Sequence, residues 1–235
     1  MKKTFFAFIT ATVMAFVAAV ALCVRALNAP QTVFSLAEQG MKIVVDAGHG
    51  GVDGGVTGVT TGVKESEVNL SVSLVLKEVL EDIGFEVELT RKTEGGLYGT
   101  PTKGFKKRDM EKRKELIEKA EPALVISVHQ NRYPSQSVRG GQVFFKKGDT
   151  RGEKFALALQ DKINGLYESE GVKPRKATPA EYYLLSCSSA PSVIVECGFL
   201  SSPKDEALLL DSSWQRRLAD SVAAGIMAYF SDTLA

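Results

Sequence analysis

From Met41 onward the chain alternates short apolar runs with longer segments of helical periodicity. Lys42-Ile-Val-Val-Asp46 is rich in β-branched residues, the pattern of a strand buried on both faces. It runs into a turn-forming stretch from Gly48 to Gly62 that holds seven glycines. Val68, Val72, Val75, Val79 and Ile83 then recur at near-helical spacing. They predict a helix from about 67 to 83, with Ser66 as its N-cap and Gly84 at its end. A strand over 85–90 follows, then a heavily charged helix over 106–119 and a strand over 123–128 that delivers His129. Further on come a strand over 141–146, a helix over 152–168, a short strand over 182–185, a strand over 191–196 and a closing helix over 214–230. This order predicts an α/β fold: a single layered domain with a mostly parallel twisted sheet flanked by helices. The alternation never breaks, so residues 41–235 read as one catalytic domain without a separate binding domain.

The segment before that body has a different character. Lys2 and Lys3 precede an uncharged, mostly apolar run of 21 residues, 4–24, which Arg25 closes. A run of that length can span a membrane as a helix, and the same pattern describes a secretory signal. Residues 1–29 are therefore expected to be a signal peptide or membrane anchor, and 30–40 a linker. Either reading makes the body an exported one, secreted to the cell wall or an intermembrane space, or anchored with membrane contact through residues 4–24.

Charge narrows the partners. The chain has 29 basic and 28 acidic residues, and three of the basic ones (Lys2, Lys3, Arg25) precede Pro30 with no acid among them. The body thus carries 26 against 28, a formal −2, and no bulk charge for nucleic-acid binding. The helix over 106–119 reads as a solvated face with pairs such as Lys107–Glu111. Cys187 and Cys197 are ten positions apart and are expected to be unpaired thiols, with Cys197 packed at the end of an apolar strand.

The chain has two histidines, and each stands where an apolar run gives way to polar residues: His49 in Asp-Ala-Gly-His-Gly-Gly and His129 in Ile-Ser-Val-His-Gln-Asn. Open α/β sheets present their working groups at such strand exits. Imidazole is a common metal ligand. Two carboxylates suit the pair. Glu65 sits at a helix start, where an ionised carboxylate is favoured, and with His49 and His129 it would make a His₂Glu zinc site with one open position. Glu196 closes the apolar run Ser-Val-Ile-Val, where an acid is costly to bury without a role, and it suits a general base. Each has a plainer reading: a structural strand-end histidine, a helix-start charge at Glu65 with Glu67 as a rival ligand, a buried ion pair between Glu196 and Arg91.

Taken in order, these pieces resemble the zinc-dependent N-acetylmuramoyl-L-alanine amidases of the Amidase_3 class. The matching stretches are Ile43-Val-Val-Asp-Ala-Gly-His-Gly-Gly51, Asp53-Gly-Gly55, Lys64-Glu65 with Val68-Asn-Leu70, Leu89-Thr-Arg91, Ile126-Ser-Val-His-Gln-Asn131 and Val193-Ile-Val-Glu-Cys-Gly-Phe-Leu-Ser201. The resemblance implies one zinc ion per chain held by His49, Glu65 and His129, with Glu196 as catalytic acid/base. It favours Glu65 over Glu67. Arg91 and Asn131 are candidates for contact with substrate or its oxyanion. The segment Gly99-Thr-Pro-Thr-Lys-Gly-Phe-Lys-Lys-Arg108 and Pro134-Ser-Gln136 resemble the spore-cortex, CwlD-type subgroup. That subgroup strips stem peptides from muramic acid on the way to muramic-δ-lactam. Departures are Ala47, Arg132 and Ser202, none at an implied ligand. Peptidoglycan is the implied substrate. Two other readings stay open: another zinc peptidoglycan hydrolase, a peptidase or deacetylase, and a peptidoglycan-binding protein that needs an activating or anchoring partner protein.

Overall fold

A computed structural model describes residues 40–234. The predicted signal or anchor over 1–29 and nearly all of the linker lie outside those residues. Among the described residues, no helix is long and apolar enough to cross a membrane.

The domain is built on one six-stranded sheet in the order β2-β1-β3-β6-β4-β5. Its strands are β1 (Lys42–Ala47), β2 (Glu86–Leu89), β3 (Leu124–Asn131), β4 (Gln142–Lys146), β5 (Thr178–Ala180) and β6 (Ser192–Phe199). The helices are α1 (Glu65–Ile83), α2 (Phe105–Ala120), α3 (Thr150–Glu168), α4 (Pro203–Leu210) and α5 (Ser212–Leu234). β2, β1, β3 and β6 run parallel. β4 pairs antiparallel with β6, and β5 runs parallel to β4. The sheet is therefore mixed.

The main core lies on one face. Val68, Val72, Leu76, Val79 and Leu80 of α1 pack with Ile43 and Val45 of β1, Ile126 of β3 and the apolar sides of α3 and α5. On this face the stripe departs slightly from the sequence reading: Leu76 and Leu80 are buried, while Val75 and Ile83 are only partly so. A smaller cluster on the opposite face joins Val44 and Val125 to Ile117 of α2 and to Leu184.

The chain leaves β1 through α1 to reach β2 on one side, then returns through α2 to β3 on the other side of β1. α1 and α2 therefore lie on opposite faces, and a crevice opens at the carboxyl ends of β1 and β3. This is where α/β sheets form ligand sites.

Four local expectations change. α1 begins at Glu65 itself, with Lys64 in the N-cap position and no side-chain cap, so Ser66 lies inside the helix. The segment expected as a strand over 182–185 is a 3₁₀ turn at Tyr183–Ser186, because the strand pairing with β4 is made earlier, at Thr178–Ala180. β3 and β6 each run about three residues further than predicted, so His129, expected just past its strand, is a strand residue, and Glu196, expected at the last position of its strand, lies inside it. α4 precedes the closing helix, capped by the Ser202 side chain, which accepts from the Asp205 amide. The free state of Cys187 and Cys197 is as expected, and both are buried.

Candidate active site and metal centre

His49 owes its position to a tight turn. It has a left-handed backbone (φ 61°), unusual for a residue with a side chain. Two interactions hold it there. The Gly50 amide donates to the Asp53 carbonyl (2.9 Å) and the Asp53 amide donates back to that of Gly50 (3.2 Å), folding the loop on itself. From the other side Arg113 Nη2 of α2 donates to the His49 carbonyl (2.5 Å). Gly48 has no room for a side chain: a Cβ there would lie 2.2 Å from His129 Cε1. The bare backbone lets the two histidine rings meet, with centroids 5.1 Å apart and planes at 77°.

Glu65 enters from the first turn of α1 and is 2% exposed. Its Oε2 accepts from the Val56 amide (2.9 Å), and its Oε1 accepts from Asn69 Nδ2 (3.2 Å) and the Gln130 amide (3.2 Å). His129 Nδ1 stands 3.0 Å from Glu65 Oε1, and His49 Nε2 stands 3.3 Å from the same atom. One ligand atom from each of His49, Glu65 and His129 lies within 4.8 Å of the others. Tetrahedral zinc with bonds of about 2.0–2.1 Å needs its ligand atoms roughly 3.3 Å apart. The two spacings from histidine nitrogen to the Glu65 oxygen fit that ion, and the donor set of two imidazoles and one carboxylate suits it.

The ionisation pattern agrees. Burial pushes the Glu65 carboxyl up, but the two histidines beside it outweigh that and hold it far below the usual carboxylate range. Burial lowers the His49 imidazole, yet Glu65 and then Asp53 outweigh it and raise it overall.

Glu196 lies directly across from His129 in the β3–β6 register. Ile194, two residues earlier on the same face, lines the crevice. Burial pushes the Glu196 carboxyl up to about 7, and its buried Oε2 has no hydrogen-bond partner. A half-buried carboxyl with one unpartnered oxygen and an affinity for protons near neutrality is suited to proton transfer.

Beneath the turn lies a buried ion network. Asp46, fully buried, accepts from Arg113 Nη1 (2.5 Å), Ser127 Oγ (2.6 Å) and Thr90 Oγ1 (2.6 Å). Arg113 also donates through Nε to Asp109 Oδ2 (2.6 Å) and through Nη1 to the Ala47 carbonyl (2.7 Å). The helix expected as a solvated face also buries Asp109 and Arg113 against the strand end. An acid within the apolar run of β1 was the signal for it, since such a charge requires a partner. The outer side is solvated as expected, including a Lys107–Glu111 pair at 3.7 Å.

Arg91 is 3% exposed and has no carboxylate partner among the described residues. Its guanidinium donates to the carbonyls of Ala47 (2.9 Å), Thr93 (2.9 Å), Gly48 (3.0 Å) and Ser66 (2.7 Å). The ion pair with Glu196 is therefore replaced by a clamp on the main chain around the β1 exit. Asn131 ends β3, and its Oδ1 accepts from the Arg132 amide (2.8 Å). Glu67 is exposed and lies outside the ligand cluster. The crevice beside the cluster has a volume of about 360 Å³ and is walled by Met110, Tyr182, Tyr183 and Ile194, with Lys106 at its edge.

The sequence matches the Amidase_3 model, N-acetylmuramoyl-L-alanine amidase, over residues 43–228. The chain belongs to the Amidase_3 family of N-acetylmuramoyl-L-alanine amidases. This amidase is 34% identical over 202 residues to the germination-specific N-acetylmuramoyl-L-alanine amidase of Bacillus subtilis, covering 85% of this chain and 84% of the relative. Its fold is similar to the CwlD amidase of Clostridioides difficile, solved in complex with the GerS lipoprotein, with a TM-score of 0.77 and 30% identity over 82% of this chain and 99% of that one. The catalytic domain of CwlV, an amidase from Bacillus (Paenibacillus) polymyxa var. colistinus, is also similar, with a TM-score of 0.68, 26% identity and coverage of 80% and 97%. As an Amidase_3 enzyme the chain is a peptidoglycan hydrolase that acts on an amide bond.

Proposed function

We propose that the amidase cuts the bond between the lactyl group of N-acetylmuramic acid and L-alanine with one zinc ion held by His49, Glu65 and His129, and with Glu196 as its acid/base. The observation that carries this reading is the register of His129 with Glu196: it sets an unpartnered carboxylate oxygen beside the three-residue ligand cluster. A zinc ion bound there would supply a Lewis acid that polarises the scissile carbonyl and makes water more acidic.

The protein's own groups do the rest. Glu196 Oε takes the proton of the attacking water and returns it to the alanine nitrogen as the C–N bond breaks, so one carboxyl serves both halves of the reaction. Its burial keeps the proton exchangeable near neutral pH. The crevice beside the cluster, walled by Met110, Tyr182, Tyr183 and Ile194, would receive the substrate. Arg91 fixes the carbonyls of Ala47 and Gly48, which holds the turn that carries His49.

We infer a role in spore cortex synthesis, with the stripped muramic acid passing to muramic-δ-lactam formation. The germination-specific relative in Bacillus subtilis supports it. That relative and the cell-wall amidases of similar sequence also support an exported location. The Clostridioides difficile amidase was solved with a lipoprotein, which supports an accessory protein partner for this chain. Chelation tests the metal: stem-peptide release should stop when zinc is stripped and return when zinc alone is restored. Release untouched by chelation would sink the metal reading.

A further inference from the structure

His49 is contacted on both of its ring nitrogens, and this inference rests on its reading as a metal ligand. Nε2 faces Glu65 Oε1 at 3.3 Å, while Nδ1 lies 3.0 Å from Asp53 Oδ2 on the opposite side of the ring. The second oxygen of Asp53, Oδ1, lies 3.1 Å from Lys106 Nζ in the first turn of α2. The reciprocal main-chain bonds between Gly50 and Asp53 bend the loop so that the carboxylate returns to the ring. The histidine and aspartate side chains are 25% and 23% exposed, so their contact is partly withdrawn from water.

A neutral imidazole carries one proton. A nitrogen that gives its lone pair to a metal leaves the proton on the other nitrogen, which then needs an acceptor. Asp53 Oδ2 is placed to be that acceptor. His129 is fixed by other means: the nitrogen nearest Glu65 is Nδ1, and its ring packs against the bare Cα of Gly48.

We propose that Asp53 is a positioning residue that holds His49 as its Nδ1–H tautomer with Nε2 aimed at the metal position, and that Lys106 holds Asp53 in turn. The charged helix α2 thereby enters the outer shell of the metal site at two points. Arg113 grips the His49 main chain, and Lys106 steadies the acid behind its ring. Lys106 is 67% exposed, so its share is small compared with that of Asp53.

The test is zinc affinity, measured on the full-length chain in detergent by competition with a chromophoric zinc chelator. Asp53→Ala should weaken zinc binding by about 10–100-fold. Asp53→Asn keeps an oxygen for the Nδ1 proton and should lose less. Lys106→Met should lose no more than about fivefold. In the zinc-bound protein, ¹⁵N spectra of the two histidines should show His49 protonated on Nδ1, the signal being assigned through its couplings to the His49 main chain. A structural role alone would lower thermal stability without moving zinc affinity or this tautomer. Asp53→Ala and Asp53→Asn that both bind zinc within twofold of wild type, or a His49 protonated on Nε2, would overturn the proposal. Retention of wild-type affinity by His49→Ala is a different failure: it would remove the ligand reading on which this one stands.

Discussion

His129 and Glu196 are paired residues on neighbouring parallel strands, and their side chains therefore leave the sheet on the same face. One is a candidate metal ligand and the other a half-buried acid whose buried Oε2 lacks a partner. Two residues 67 positions apart are thus held side by side by sheet hydrogen bonds. Neither depends on a mobile loop.

The first prediction concerns the pH profile. A base must be ionised to accept a proton, so kcat/KM should fall tenfold per pH unit on the acid side of the Glu196 pKa. Burial raises that carboxyl to about 7, and a bound cation draws it down again. The acid limb should therefore lie above the ordinary carboxylate range, at or somewhat below about 7. A limb at the ordinary value of 4.5 would contradict the burial argument.

Protons and zinc should compete for the same side chains. His49 is raised above its ordinary 6.5 in the metal-free protein, and it must shed its proton to bind a metal. Zinc affinity should then weaken steadily as the pH falls from 8 to 5.5, measured by chelator competition. A flat profile would exclude His49 as a ligand.

Stability should rest heavily on Arg113. Burial raises the Asp46 carboxyl, but Arg113, Ser127 and Thr90 outweigh it and hold it below 3.8. A depressed carboxylate adds stability that is present above its unfolded pKa and lost as pH falls through the folded value. Arg113→Met leaves the Asp46 charge buried without its main partner and should cost about 3–5 kcal/mol in urea unfolding at pH 7. Adding Asp46→Asn should recover part of that loss. A cost below about 1 kcal/mol for Arg113→Met would contradict the network as described.

Gly48→Ala should separate fold from site. Its Cβ would collide with the His129 ring, whose nearest atom is 2.2 Å away, and the ring can yield only by turning from the cluster. Zinc affinity and activity should drop by about 100-fold or more, beyond the 10–100-fold typical of a lost outer-shell partner, while circular dichroism keeps its wild-type form. Unchanged zinc binding would show that the ring has another place to go.

Much of this was legible in the residues themselves. β-branched runs identify β1, β3 and β6, and a histidine or glutamate at the end of each apolar stretch marks the crevice. Glu65 could be singled out only with help from family resemblance, because an acid in a first helical turn is common. What stayed hidden was tertiary. The charges of α2 look alike in sequence, and only packing on β1 distinguishes Asp109 and Arg113 from their solvated neighbours. Asp53 stands four residues from His49, but its return to the ring depends on the positive-φ turn between them. Tyr182 and Tyr183 read as strand residues because aromatics favour sheets, whereas β4 had already paired with Thr178–Ala180.

The central claim is that Glu196 works as the base of a zinc amidase on peptidoglycan, and product analysis tests it most directly. Purified peptidoglycan is digested with the zinc-loaded chain or with Glu196→Gln, and the soluble products are identified by mass spectrometry. The wild type should release whole stem peptides with a free L-alanine amine, and Glu196→Gln should release them about 10²–10⁴-fold more slowly while still binding zinc. Peptides cut within the stem, release of acetate, or Glu196→Gln working at the wild-type rate would contradict it.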